Sequence, residues 1–340
     1  WCADSIPTAG GFGTLDGART GFRPVLGVQS LVNGLVRRAV VLAWMLRGIW
    51  GLLALTAGTW WWWFRAEPPG LALAGFWAPA LVYAAVLAAE CAMAAVVNRD
   101  DPSPRASFMA WIRAWLRETL VSLKVFGWLQ PVQAGAVADR LACMGTATSG
   151  VVFIHGFMCN RGIWTPWMKA LTAEGRVFAA VTLEPVWGTI DAYVATIDEA
   201  VNRVSAATGR APILVCHSMG GLAARAWLRA GGAGAAMRVR HIVTLGTPHH
   251  GTWLARFARA PNGRQMRRAS PWLQTLSAGE PPGLATRFTC WYSNCDNIVF
   301  PASTATLKGA DNRLAPGVGH VELTANQEVM DFCLDLIRAS

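Results

Sequence analysis

Between Leu71 and Ala89 the chain carries no charged residue. As a helix this run rises about 28 Å, enough to cross the hydrocarbon of a bilayer, and a membrane-spanning helix is predicted there. The preceding run, Ala39 to Phe64, is also apolar but contains Arg47 and ends in Trp60-Trp61-Trp62-Trp63. If Arg47 reaches back towards Arg37 and Arg38, Gly48 to Phe64 is left to span, with the Trp cluster at the far interface. The two spans predict a hairpin that turns at Arg65-Ala66-Glu67-Pro68-Pro69-Gly70, where Pro-Pro-Gly breaks a helix. Arg37, Arg38 and Arg47 precede the hairpin and Arg99, Arg105, Arg113 and Arg117 follow it, against Arg65 alone in the turn. By the bias of positive charge, both ends and the segment beyond are expected to face the cytoplasm.

Composition agrees with membrane attachment. Apolar residues make up 53% of the 340, charged residues only 15%, and the mean hydropathy is +0.32. The net charge of +10 raises nucleic acid as a partner, but there is no zinc spacing, RNP-like run or long Lys/Arg tract. Anionic headgroups are the better match for a basic, apolar chain, and no nucleic-acid partner is expected. Of the eighteen Trp residues, those in the second half are expected to fill a core rather than to meet a bilayer. Eight cysteines at 2, 91, 143, 159, 216, 290, 295 and 333 form no metal-binding spacing, so no metal is expected. Only Cys290 and Cys295 are close enough for a local disulfide, and free thiols are favoured.

Four regions follow. Residues 1–34 are Gly-rich without an apolar period and read as a poorly ordered leader. Residues 35–99 hold the hairpin. Residues 100–149 form an amphipathic helical connector, in which Trp111, Ile112, Trp115, Leu116, Val121, Val125 and Trp128 are interleaved with Arg113, Arg117 and Lys124. That helix either lies along the membrane surface or covers part of a soluble core, and both readings stay open. Residues 150–340 change texture. Val151 to His155, Val177 to Leu183, Ile213 to Cys216, Ile242 to Leu245 and Phe288 to Tyr292 read as strands, with helices near 190–207, 219–230 and 325–337. Such alternation predicts an α/β fold with a mostly parallel sheet covered on both faces.

Chemistry concentrates at Val215-Cys216-His217-Ser218-Met219-Gly220-Gly221, a strand expected to turn sharply into a helix and to lift Ser218 into solvent. Small residues flank a nucleophile at such a turn because strand and helix pass close by. Gly220 fits the pattern, while Cys216 stands where it asks for glycine. Earlier in the chain, Phe153-Ile154-His155-Gly156-Phe157 closes a strand. A backbone N–H there, at Phe157, and another at Met219 are candidates to stabilise an oxyanion.

Residues from about 150 to 338 resemble an α/β-hydrolase, and more narrowly the bacterial triacylglycerol lipases. The resemblance rests on HGF at 155–157, HSMGG at 217–221 and GTPHHGT at 246–252. It leaves the first 150 residues unexplained. The fold's order of nucleophile, acid and histidine implies Ser218, Asp296 and His320, since His320 alone follows every candidate acid. Asp296, in Asp296-Asn297-Ile298-Val299-Phe300-Pro301, resembles the family's acid loop, and Asp311 is the rival. His155, His217, His241, His249 and His250 are read as structural.

The resemblance implies hydrolysis of carboxylic esters of lipids through an acyl-enzyme, without cofactor. A thioesterase, acyltransferase or lipid-anchor deacylase on the same fold, and a non-catalytic membrane scaffold, are the alternatives. Residues 251–287, with Trp253, Leu254, Phe257, Trp272 and Leu273 beside Arg256, Arg259, Arg264, Arg267 and Arg268, read either as a lid or as an ordinary packing excursion.

Overall fold

The computed structural model describes residues 41–67, 69–142 and 148–340. The expectations for residues 1–34, Arg37, Arg38, Pro68, Cys2 and Cys143 lie outside the described residues. Two apolar helices come first, α1 (Val41–Phe64) and α2 (Pro69–Val97), and they fit a transmembrane hairpin. Both leave large apolar side chains uncovered, among them Leu55, Trp63, Leu81 and Val82, each more than 60% exposed. The hairpin is pinned from within: the indole N–H of Trp60 donates to the Leu71 carbonyl at 2.9 Å. That indole lies where a Cβ on residue 75 would be, so any larger residue at 75 would have to displace it.

At 1.5 Å per residue, α2 is about 43 Å long, well beyond a hydrocarbon core of about 30 Å. Its last turns accordingly leave the apolar regime and bury Leu87, Cys91 and Ala94 against protein. The start of α1 does the same through Leu42, Ala43 and Leu46. Arg47 does not simply reach for headgroups: its Nε–H donates to the Pro131 carbonyl at 2.7 Å.

The connector helix α3 (Phe108–Lys124) is capped by Ser107, whose hydroxyl accepts the Ala110 N–H. One face of it is buried and the other exposed, as the reading of a helix that covers part of a core requires. Ala114, Glu118 and Ser122 are buried, Glu118 against Val321 and Glu322, while Phe108, Met109, Leu116 and Leu120 are exposed. A π-helical turn, Val125–Leu129, continues it. The carbonyl of Phe126 in that turn accepts the Trp50 indole N–H from α1 at 3.0 Å.

The second half of the chain holds a six-stranded, wholly parallel sheet in the order β2-β1-β3-β4-β5-β6. The strands are β1 (Val151–Ile154), β2 (Phe178–Ala180), β3 (Ile213–His217), β4 (His241–Leu245), β5 (Phe288–Tyr292) and β6 (Asp311–Leu314). Helices α4 (Thr165–Ala173), α5 (Val194–Thr208), α6 (Met219–Met237) and α9 (Gln327–Arg338) cover its faces, and α7 (Pro261–Gln265) and α8 (Pro271–Ala278) lie in the insertion after β4. Central strands buried on both faces need continuous apolar runs, which is why β1 and β3 stand out in the sequence. One layer packs Leu214, Leu222, Ile197 and Val201, the other Phe153, Trp164, Trp167 and Ile337.

The run 177–183 contributes only three paired residues. Beyond Ala180 the chain leaves the ladder, and the Leu183 N–H goes to the His155 ring instead. The outer edge of β2 is closed by Arg140, which exchanges both backbone bonds with Phe178 at 3.0 and 2.9 Å. The six described cysteines are free and buried, including Cys290 and Cys295.

Candidate active site

Strand order reverses between β1 and β3, and in an open α/β sheet the crevice at the carboxyl ends of such strands is where ligands bind. Ser218 sits there, directly after β3, with φ 53° and ψ −128°. A serine held at positive φ costs about 1–3 kcal/mol, so surrounding bonds must enforce it. The Ser218 N–H donates to the Leu245 carbonyl at 2.8 Å, and its own carbonyl accepts the Gly221 N–H at 3.1 Å and the Thr247 hydroxyl at 2.8 Å. Gly220 is obligatory, because a Cβ there would approach the Ile154 carbonyl oxygen to 2.5 Å. Cys216, the departure from the small-residue pattern, is fully buried in the sheet core, where burial pushes its thiol pKa up. Contrary to expectation the serine is not lifted into open solvent: it is 6% exposed. The loop after β1 passes against it so closely that a Cβ on Gly156 would lie 2.7 Å from the serine Cβ.

Asp296 follows β5 and His320 follows β6. The His320 Nδ1 and Asp296 Oδ2 are 2.8 Å apart, with both residues buried. The other carboxylate oxygen accepts the Ile298 and Val299 N–H groups at 2.8 and 2.7 Å, which fixes the acid and keeps it an acceptor. Burial by itself lowers the His320 pKa. The charge and hydrogen bond of Asp296, with Glu118 and Glu90 behind them, overcome it and hold the imidazole above its ordinary value. Gly246 opens the space over this pair: its φ is +59°, and a Cβ would sit 3.0 Å from Asp296 Oδ2 and 3.1 Å from His320 Nδ1. The rival Asp311 opens edge strand β6, where it is exposed and paired with Arg313 at 2.7 Å.

His217, beside the serine, links it to the histidine. Its Nε2–H donates to the His320 carbonyl at 3.2 Å and the two rings lie 4.7 Å apart, centroid to centroid. Burial and the neighbouring His320 keep it neutral, with a pKa well below the ordinary value. His155 is structural too. Its Nε2 accepts the Leu183 N–H at 2.9 Å, so Nδ1 carries the proton and donates to the Gly156 carbonyl at 2.8 Å, with burial lowering its pKa to about 4. That bond fixes the peptide just before Phe157. Met219 opens α6, where the first N–H groups of a helix have no intrahelical acceptor. His249 is buried against Thr244, and Arg225 joins the His249 carbonyl to the insertion through a paired contact with Glu280 at 2.6 and 2.9 Å.

The helices ahead of residue 150 reach the loops after β1, β2, β5 and β6. Glu118 on α3 is 1% exposed, and its two oxygens accept the Val321 and Glu322 N–H groups, each at 2.9 Å. Burial raises its pKa to about 7, against the lowering effect of those two bonds and of His320. Glu90 on α2 accepts from Asn297 Nδ2 at 2.8 Å, and Asn297 Oδ1 accepts the His320 N–H at 3.2 Å. Asn98 binds the Ala302 N–H and Asp101 the Ser303 hydroxyl, both on the acid loop. Gln130, fully buried, accepts the Asn160 N–H at 2.7 Å in the loop after β1. Leu42 and Leu46 of α1 pack with Val186 and Met158. The sequence carries two weak signals of this: Glu118 is the lone acid in a basic, apolar helix, and Glu90 is the first charge after the span. Among the described residues no group of three or more His, Cys, Asp or Glu is arranged to hold a metal ion.

The insertion is tied down. Asn262 is fully buried and donates to the Val186 carbonyl at 2.9 Å, Trp272 donates to Asp191 at 2.7 Å, and Thr252 donates to the Ile298 carbonyl at 2.6 Å. Phe257 and Arg256 face outward, stacked at 5.8 Å.

No curated protein matches the sequence. Among solved structures, a lipase from Bacillus licheniformis in its mature form aligns at 18% identity with a TM-score of 0.50, over 56% of this chain and 92% of its own. Lipase B from Aspergillus fumigatus aligns at 15% identity with a TM-score of 0.51, over 76% of this chain and 81% of its own. At such identities the likeness is one of fold. The sequence profile of the Alpha/beta hydrolase family matches residues 151–331, and with the serine turn, sheet order and histidine–carboxylate pair described above, this chain belongs to the alpha/beta hydrolase family.

Proposed function

We propose that the protein is a membrane-anchored serine hydrolase that cleaves carboxylic esters of lipids. The observation that carries this reading is the strained Ser218 turn at the carboxyl end of β3, with the bonded His320–Asp296 pair at the neighbouring strand ends. Ser218 attacks the ester carbonyl as His320 takes its proton at Nε2, the nitrogen left free by the Asp296 bond. Asp296 holds the ring and stabilises its positive form. The N–H groups of Phe157 and Met219 receive the oxyanion, and His320 then protonates the leaving alcohol and activates water. These steps call on no cofactor or metal.

Lipid esters are favoured over soluble ones because the hairpin helices, which fit a bilayer, bond to the loop that carries Asp296, and because the two similar solved structures are lipases. The excess of arginine flanking the hairpin supports a cytoplasmic orientation for the catalytic domain. If the insertion opens as a lid, it must break the Arg225–Glu280 pair and the Asn262–Val186 bond.

A fluorophosphonate should label the full-length protein, and Ser218→Ala should lose labelling and cut kcat by roughly 10^4- to 10^6-fold. No labelling of the folded wild type would favour a scaffold. An ester series of increasing acyl length in detergent should show turnover extending to long chains, and restriction to short ones would replace lipase by esterase. Because His320 acts as base in its neutral form and its pKa is raised, kcat/KM should fall with decreasing pH through a midpoint above 6.5.

A further inference from the structure

The loop that carries His320 is not held by the sheet alone. Gly319, His320, Val321 and Glu322 run past α3, and Glu118 meets two consecutive peptide N–H groups immediately after the histidine. A carboxylate suits such a pair of donors, because it offers two acceptor oxygens side by side where glutamine offers one acceptor and a competing donor. The fit is close on the other side as well, since a Cβ on Gly319 would collide with Glu118 Oε2. The side chain is buried, and its partners are these two N–H groups and the Ser122 hydroxyl at 3.5 Å. A few residues away Glu90, through Asn297, holds the N–H of His320 itself.

We propose that Glu118 and Glu90, supplied by the helices ahead of the catalytic domain, are positioning residues that fix the His320 loop and so the reach of its imidazole to Ser218. The proposal rests on the serine-hydrolase reading above. Neither carboxylate touches the reacting atoms. Each acts through backbone or through Asn297, and each adds negative charge near the imidazolium that forms when the serine proton is taken. The connection also makes the membrane-facing segments part of the catalytic unit: the helix that exposes Phe108, Met109, Leu116 and Leu120 is the one that clamps the histidine loop.

The test uses the full-length protein in detergent, with active sites counted by fluorophosphonate and rates measured on a p-nitrophenyl ester. E118Q should lower kcat per titrated site by about 10- to 100-fold, as small misplacements of catalytic groups do, with KM little changed. Loss of its charge should also move the acid limb of kcat/KM to lower pH, because Glu118 helps to raise the His320 pKa. A purely structural loss would reduce the count of titratable sites and leave the limb where it is. The groups that can titrate around Glu118 are Asp296, His320 and Glu322 on the hydrolase loops, Arg117 on its own helix, and Tyr83, Glu90 and Cys91 on α2. E90Q keeps an acceptor for Asn297 and should show the same pattern more weakly. If E118Q does not fold, G319A, which displaces the carboxylate while retaining it, should give the same drop in kcat per site. An active, labelled wild type whose E118Q and G319A forms keep its kcat and pH limb overturns the positioning role alone. A wild type that is neither labelled nor active overturns both this role and the hydrolase reading.

Discussion

Helices α6 and α2 are both long and apolar, for opposite reasons. From Met219 to Leu228 every residue of α6 is buried, because the helix lies against a parallel sheet that must be covered. Along α2, Leu73, Phe76, Trp77, Leu81, Val82 and Val86 are exposed, although nothing in their composition separates them from a core helix. An apolar helix left uncovered in this way fits a bilayer. The change comes within α2 itself: from Leu87 onward its inner face is buried, and Glu90, then Asn98 just past its end, bind the loop after β5.

Substitution in the two helices should separate these roles. L222D, which puts an unpaired carboxylate into the sheet core, should cost well over about 3 kcal/mol and leave no folded, labelled hydrolase; survival of labelling would show that α6 is not the core helix described. L81D should instead cost about 2.5–3.5 kcal/mol of bilayer insertion, seen as extraction by alkaline carbonate, while labelling in detergent persists. If L81D remains fully membrane-bound, the hairpin reading fails. A finer comparison uses glycine. At 220 the obstacle to a Cβ is the Ile154 backbone, which cannot move, and G220A should cost about 1–3 kcal/mol, read as a lower Tm. At 75 the obstacle is the Trp60 indole on an exposed helix face, which can swing aside, and G75A should cost less. The smallest effect is expected of W60F, which loses one interhelical bond worth about 0.6 kcal/mol in a membrane and should leave kcat unchanged.

A fifth measurement addresses the junction between the two regions. Glu118 has its pKa raised on folding, so its stabilising contribution is complete below 4.5 and is lost as pH rises through about 7. The wild type should therefore lose Tm relative to E118Q across that interval. A parallel pH dependence in the two proteins would show that the carboxylate is not buried as described.

What can be read from the sequence is local. Ser218 and its glycines announce themselves because a strand, a sharp turn and a helix must follow one another directly. The hairpin is legible because a bilayer constrains consecutive residues. Asp296 requires the order of the fold and the resemblance of its loop. Strand β6 is harder: Asp311-Asn312-Arg313-Leu314 pairs on one side only, is largely exposed, and lacks the apolar run that marks β1 or β3. Helix α4 escapes sequence reading as well, its nine residues being too few to show a clear apolar period.

The sequence by itself determined the sharp turn at Ser218, the apolar spans and the parallel sheet, since each follows from the chemistry of neighbouring residues. Only the tertiary structure decided that Glu118 and Glu90 stand behind His320. Their partners lie some two hundred residues away in the chain, and a buried carboxylate reveals its purpose only when the N–H groups it accepts are in place.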